Sequence, residues 1–164
     1  MRTEAPLDKG GTMQEKVTQL SNDDRAYLDE LRKWLRGHFP ESERAKHDEI
    51  GGKLAVVQTI LENRWFDPNE AWQLHALGVG MGDALAQQLG MVWAIVEDEH
   101  GRQPILQLPG TSLTLGAFTM IQKRVMQGED VDVPSLFEAF CHSVEQIRAP
   151  KRSLFGRLFG PRLR

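Results

Sequence analysis

The sequence predicts an α+β domain that is mainly helical, with a short antiparallel sheet of two or three strands. Apolar residues recur at helical spacing in several segments, and capping residues, prolines or glycines bound most of them. The segment at residues 91–97 differs from these helices. It is short, rich in β-branched and aromatic residues, and apolar on both alternating faces. A polar turn with a glycine follows, as in a hairpin. Residues 91–97 should therefore be the most buried strand, with Trp93 largely inside.

Two helices are expected before the central part of the chain. Ser21 or Asn22 caps the first, over residues 23–37, where acids come early and bases late, as the helix dipole favours. The second is expected over residues 42–64, and a Gly-Gly pair within it should kink or end it.

A third helix, over residues 68–89, has a face of small residues. Gly78, Gly82 and Ala86 lie four apart and share that face, so another element should pack closely there. We expect Gly82 to face another backbone at short range. Gly90 then supplies a stop for the helix.

The remaining elements follow from turn residues and periodicity. Residues 98–102 form the hairpin turn, residues 104–108 return antiparallel, and residues 112–117 form a weaker third strand. A short helix is expected over residues 118–127, and a last helix begins where Asp132 can act as its cap.

Composition indicates one domain with dissimilar ends. We expect a flexible leader over residues 1–20, a single α+β domain over residues 21–150, and a basic amphipathic tail over residues 151–164. The tail carries five bases and no acid, so a net charge of −3 leaves −8 on the rest of the chain. The small total charge gives no support to a nucleic-acid partner.

Other classes are also disfavoured. The first residues contain no apolar run, and no stretch approaches the roughly 20 apolar residues of a membrane span, so a cytoplasmic location is expected. The single cysteine, Cys141, excludes an intramolecular disulfide framework. The five histidines are scattered without the spacing of a metal site, so we expect neither a metal nor another cofactor.

The middle of the chain resembles a known family. Its features are a small-residue helix at residues 82–90, Trp93 in a strand, an acidic turn at residues 97–101, a second strand at residues 105–108, and the pair Lys123-Arg124. This pattern resembles the bacterial domain-of-unknown-function family 3806 over about residues 70–140. The resemblance implies a bacterial origin and one domain, and it implies no activity.

One cluster of ionisable residues could serve as a polar site. As a metal or acid–base site it would combine the strand-end turn with two bases of a later helix. The candidate residues are Glu97, Glu99, His100, Arg102, Lys123 and Arg124. The alternative, which we favour, is a solvated hairpin turn, because no ligands stand at a recognised spacing.

Two other patterns have simpler explanations. The glycines at 78, 80 and 82 resemble a phosphate loop, but a helix precedes them and the strand comes afterwards, so close packing is favoured. Cys141 and His142 are adjacent on a helix and point about 100° apart, so they do not form a catalytic pair with each other.

The tail is the stretch that a folded core explains least. It combines five bases with large apolar residues that would form one stripe on a helix. The candidate interaction residues are Leu154, Phe155, Arg157, Leu158, Phe159 and Arg162. This tail could dock on its own acidic body, on a partner protein or on an anionic membrane. Two glycines and a proline weaken the helix that a membrane would require, so a simple disordered end stays open as an alternative.

We therefore expect a non-enzymatic bacterial protein–protein interaction domain, of adaptor or immunity-like character, with an unidentified protein partner or self-association. Two alternatives stay open. One is a small-ligand-binding or hydrolytic domain that uses the acidic turn at residues 97–102. The other is a peripheral membrane protein that uses the tail.

Overall fold

The structure is a computed structural model, and it describes residues 14–149. The α-helices in this range are α1 Asn22–Arg36, α2 Ile50–Asn63, α3 Ala71–Leu89, α4 Met120–Met126 and α5 Val133–Arg148. The strands are β1 Lys16–Gln19, β2 Val92–Asp98, β3 Gly101–Gln107 and β4 Thr114–Leu115. The strands form one antiparallel sheet in the order β1-β2-β3-β4. The α+β, mainly helical class is confirmed.

The fourth strand lies where a flexible leader was predicted. Residues 16–19 form β1, which pairs with β2 so that Val17 lies opposite Val96. The prediction of a leader as far as residue 20 is therefore wrong for these four residues, and residues 1–13 lie outside the described range. The segment is only four residues long and has one apolar residue, so its own sequence carries only a weak strand signal. The segment becomes a strand because it pairs with the edge of β2, where Val17 can pack beside Val96.

The second predicted helix is divided in two. A 3₁₀ helix, Glu41–Asp48, comes first, and α2 starts at Ile50 after an extended residue, Glu49. A Cβ on Gly52 would overlap the backbone carbonyl of Lys46. The two segments can approach this closely only because Gly52 has no side chain.

Helix α3 is the centre of the core. Most of its residues are buried, and α1, α2, α4 and α5 all pack against it. Gly78 faces the backbone carbonyl of Phe118, just before α4. Gly82 faces the ring of Trp93 and the methyl group of Ala117, so the prediction that Gly82 meets another backbone is wrong, and Gly78 takes that role. Gly90 ends the helix in a left-handed conformation, with φ of 68°.

Strand β2 is the most buried strand, as predicted, because Ala94, Ile95 and Val96 are all buried. Trp93 is partly buried and packs against the core, in line with the prediction that it lies largely inside, and it faces α3 together with Leu106 of β3. We call this side the inner face. The opposite, outer face of the sheet is defined by its apolar residues, which are Val17, Val92, Ala94, Val96 and Ile105.

Candidate interaction groove and polar sites

The acidic turn lies at the exposed end of the β2–β3 hairpin. Glu97, Glu99 and His100 are exposed, and the side chain of His100 retains 83% of its accessible surface. His100 Nε2 lies 3.4 Å from Glu99 Oε1. Among the residues that the structure describes, no group of three or more His, Cys, Asp and Glu side chains is arranged to hold a metal ion.

Arg102 turns away from its own hairpin and joins α1. Its Nη1 and Nη2 donate to the two carboxylate oxygens of Asp24, each at 2.7 Å. The same carboxylate accepts from the backbone N–H and the hydroxyl of Ser21, while Asp24 N–H donates to Ser21 Oγ, which completes a capping box. The hydrogen bonds from Arg102 hold the pKa of Asp24 well below its ordinary value. Arg102 therefore fastens the hairpin to the start of α1.

The other predicted site residues lie apart from this turn. Lys123 is exposed on α4, while Arg124 lies near Glu129 at 3.9 Å and over the ring of Phe140. Within residues 14–149, no hydrogen bond or ion pair joins either base to the acidic turn. The six predicted tail residues, Leu154, Phe155, Arg157, Leu158, Phe159 and Arg162, lie outside the described residues.

A groove of about 550 Å³ opens where the end of α2 meets α4 and the segment before α5. Leu61, Phe66, Val125 and Val131 are half-buried, whereas its charged residues are exposed. We call it the α2–α4 groove, and its lining residues are Gln58, Leu61, Glu62, Arg64, Phe66, Pro68, Val125, Gly128, Glu129, Asp130 and Val131. No residue of the acidic turn is among them.

Local hydrogen bonds fix the walls of the α2–α4 groove. Gln58 accepts from the backbone N–H of Val133 at 2.7 Å and donates to Glu62 at 2.9 Å, so it ties α2 to the first residue of α5. Arg64 ends α2 in a left-handed conformation, with φ of 52°, which is uncommon for a residue with a side chain. These contacts hold an apolar floor below a rim with three carboxylates, from Glu62, Glu129 and Asp130, and one guanidinium.

A second polar feature lies inside the fold. Arg32 of α1 donates to both carboxylate oxygens of Asp83 on α3, at 2.7 and 2.8 Å, and also to Asp29 at 2.8 Å. The indole N–H of Trp93 donates to the same Asp83 carboxylate at 2.8 Å. The contact with Asp83 raises the pKa of Arg32. One partly buried carboxylate thus links α1, α3 and β2.

Sequence comparison identifies a family for this chain. The model of the family described as "Domain of unknown function (DUF3806)" matches residues 53–137, which is just over half of the chain. The chain belongs to the DUF3806 family. The resemblance predicted from the sequence is therefore confirmed, and the matched residues include both walls of the α2–α4 groove.

Structure comparison supports the fold of this DUF3806 domain. A crystal structure from Bacteroides thetaiotaomicron VPI-5482, determined at 1.50 Å resolution, is similar with a TM-score of 0.63 and 15% sequence identity. The similarity covers 84% of this chain and 51% of the other, so this chain spans about half the length of that protein. At this identity the likeness shows the fold alone. No curated protein matches the sequence significantly.

The DUF3806 domain also has a basic cluster beside the Arg32–Asp83 pair. His47 is 2% exposed, its Nδ1 accepts from Arg36 Nε at 3.4 Å, and its Nε2 has no partner among the described residues. Burial lowers the pKa of His47, and the charges of Arg36 and Lys53 lower it further. Arg36 pairs with Asp48, and Lys53 donates to the Asp48 carbonyl, so these bases already have protein partners. The cluster joins α1, the 3₁₀ helix and α2.

Sequence reasoning missed both the α2–α4 groove and the Asp83 network. The groove combines residues 58–68 with residues 125–131, which are far apart in the chain, and neither segment has a motif. A weak signal existed for Asp83, because it is the one charged residue within the largely apolar third helix. A charge at such a position needs a partner, although the sequence does not name it.

None of the helices in the described range is long and apolar enough to cross a membrane.

Proposed function

We propose that this domain is a non-enzymatic protein–protein interaction module, of adaptor type, in the bacterial cytoplasm. The observation that carries the proposal is the α2–α4 groove, with its apolar floor and acidic rim. We propose that it receives a segment of a partner protein that carries both apolar and basic side chains. The single, half-buried Cys141 is consistent with a reducing compartment.

Shape and polarity support a peptide segment as the occupant. Leu61, Phe66, Val125 and Val131 are half-buried and therefore keep apolar area that a partner can cover. Apolar side chains that enter such a floor supply most of the affinity in interfaces of this kind. The cavity of about 550 Å³ has room for several side chains rather than a whole domain surface.

Charge supports a basic partner. Glu62, Glu129 and Asp130 stand on the rim with Arg64, and Arg124 lies 3.9 Å from Glu129, so the rim keeps a small negative excess. The chain outside the tail carries −8. Opposite charge at a rim mainly accelerates association and rejects partners of the wrong sign. An acidic or neutral segment would therefore bind more slowly than a basic one.

The same groove offers little to an enzyme. Its described lining residues include no His, Cys, Ser or Thr, so it has no pair of nucleophile and base. Its carboxylates are exposed rather than enclosed in a site that excludes water.

The test is a binding titration of the full chain with a synthetic peptide in which lysines alternate with leucine and phenylalanine. Isothermal titration measures the Kd, and backbone amide NMR shifts locate the peptide. We expect shifts at Leu61, Val125 and Val131, and weaker binding at high salt. The double variant Glu62→Lys/Asp130→Lys should raise the Kd about tenfold, which corresponds to about 1.4 kcal/mol.

The matched control is Glu138→Lys, because Glu138 is exposed on α5 and does not line the groove. It changes the total charge by two and should leave the Kd nearly unchanged. The proposal fails if the peptide does not bind, if its shifts map elsewhere, or if the control weakens binding as much as one of the groove substitutions made alone. A peptide that differs only in having glutamates in place of the lysines should bind far more weakly than the lysine peptide.

A further inference from the structure

The outer face of the sheet holds a small apolar cluster that is buried without a helix to account for it. Ala94, Val96 and Ile105 are 4%, 6% and 5% exposed. In the described part of the chain, the hydrophobic side chain that packs on this cluster is Val17, from the neighbouring strand. The helical core packs against the inner face, through Trp93 and other residues of that side. A face of an antiparallel sheet that nothing covers is commonly solvated and polar, so apolar residues buried to this extent indicate that a further segment covers them.

The path of the chain at the end of α5 indicates what can reach this face. Arg148 Nη1 donates to the backbone carbonyl of Leu89 at 2.9 Å. The end of α5 therefore lies beside the end of α3, three residues before β2 begins. Val92, the first residue of β2 on the outer face, is 49% exposed, so apolar surface begins near the point where the chain leaves α5.

The length and composition of residues 151–164 fit this surface. Residues 151–154 connect the end of α5 to the start of the apolar stripe. When extended they cover about 13 Å, which is also the length of β2 from Val92 to Val96 and therefore enough to reach the cluster. The apolar stripe of the tail starts at Leu154, four residues after Pro150, and ends at Phe159. It can therefore lie over the cluster directly after leaving α5.

Charge favours the same placement. Asp98 lies on the outer face by strand alternation, and Glu15 stands just before β1. Of the strand residues that the structure describes on this face, none is Lys or Arg. The tail brings five bases, whereas residues 1–13 carry two bases and two acids and have no stripe of large apolar residues.

We propose that residues 151–164 dock on the outer face of the sheet of their own chain, with Leu154, Phe155, Leu158 and Phe159 over Ala94, Val96 and Ile105. The inference does not depend on the α2–α4 groove. That groove lies at the start of α5, about 24 Å from its end for a helix of 16 residues, so the tail reaches the outer face more directly. A docked tail has its apolar residues covered and does not bind a membrane.

The test uses the full chain with a spin label on the tail. Cys141→Ser removes the native thiol, and Ser153→Cys provides the attachment site without altering the apolar stripe. We expect the label to broaden the amide signals of Ala94, Val96 and Ile105 and to leave those of Val125 and Val131 sharp. Broadening at the groove residues, or none at the outer face, overturns the proposal.

Three further samples make the result specific. Phe155→Ser/Phe159→Ser in the labelled chain changes residues outside the described core, so the domain should stay folded and the broadening should disappear. Persistence of the broadening in that variant contradicts the docking. In an equal mixture of isotope-labelled and spin-labelled copies, broadening of the isotope-labelled outer face would show that a second copy supplies the tail. That result also overturns the proposal. A label at Thr3→Cys tests whether residues 1–13 cover the outer face instead. Broadening of the outer face by this label, with none from the label at Ser153→Cys, overturns the proposal as well.

Discussion

Replacing Gly78 by alanine should test how closely α3 and the start of α4 pack. A Cβ at this position would overlap the carbonyl group of Phe118 and lie 2.9 Å from the carbonyl oxygen of Ala117. Both partners are backbone atoms of buried residues, with Ala117 at 0% and Phe118 at 5% exposure. They cannot rotate away as a flexible side chain would, so one of the two elements must move.

The magnitude follows from two opposing terms. Alanine gains about 1 kcal/mol over glycine in a helix interior. Overpacking a well-filled core costs typically 1–3 kcal/mol, and a collision with backbone belongs at the upper end of about 3 kcal/mol. The net loss for Gly78→Ala is therefore about 2 kcal/mol in the free energy of unfolding. For a domain of this size the loss corresponds to a fall in Tm of about 4–8 °C.

Thermal and urea unfolding followed by circular dichroism measure this change. The matched control is Gly51→Ala, because Gly51 is exposed in α2 and a Cβ there meets nothing within 4 Å. The control should keep its stability or gain up to about 1 kcal/mol. If Gly78→Ala proves as stable as the unchanged protein while Gly51→Ala behaves as expected, the close-packing argument is wrong.

Two more predictions concern contacts that the structure adds. Gly82→Leu should cost more than about 3 kcal/mol, because the new side chain displaces the Trp93 ring and breaks its hydrogen bond to Asp83. A melt with unchanged Tm, or an unshifted Trp93 indole N–H signal, would contradict this. Asp24→Asn should flatten the loss of stability in acid. Because the folded-state pKa of Asp24 is lowered, its contribution is present above its ordinary pKa of 3.8 and is lost as the pH falls. Unfolding midpoints between about pH 2 and pH 5 measure that slope, and equal slopes in both proteins would refute the role of the Arg102 contact.

Much of the fold could be predicted because its signals are local. The cap at Ser21 and the glycine stop at Gly90 set two helix ends within a few residues of the prediction. The apolar character of residues 91–97 identified the central strand, and the polar turn after it identified the hairpin. Each of these features depends on one short stretch and on the conformations that its residues prefer.

The candidate site was less predictable. Arg102 was grouped with its neighbours in the acidic turn, yet it pairs with Asp24, which is 78 residues away. The two walls of the α2–α4 groove are likewise distant in sequence, and the four residues of β1 carry only a weak strand signal of their own. In each case a partner decides the role of the residue, and the partner is defined only when the helices and the sheet have packed.

The sequence by itself determined the class of fold, the family, the central small-residue helix and the contrast between an acidic domain and a basic tail. These follow from composition and from apolar periodicity, which a chain carries whatever its neighbours are. Tertiary structure alone decided that Gly78 rather than Gly82 meets a backbone, that Asp83 joins three elements, and that an acidic apolar groove forms beside α4. The physical reason is that close contacts and paired charges depend on distances in space, and those distances are set by how the whole core fills its volume.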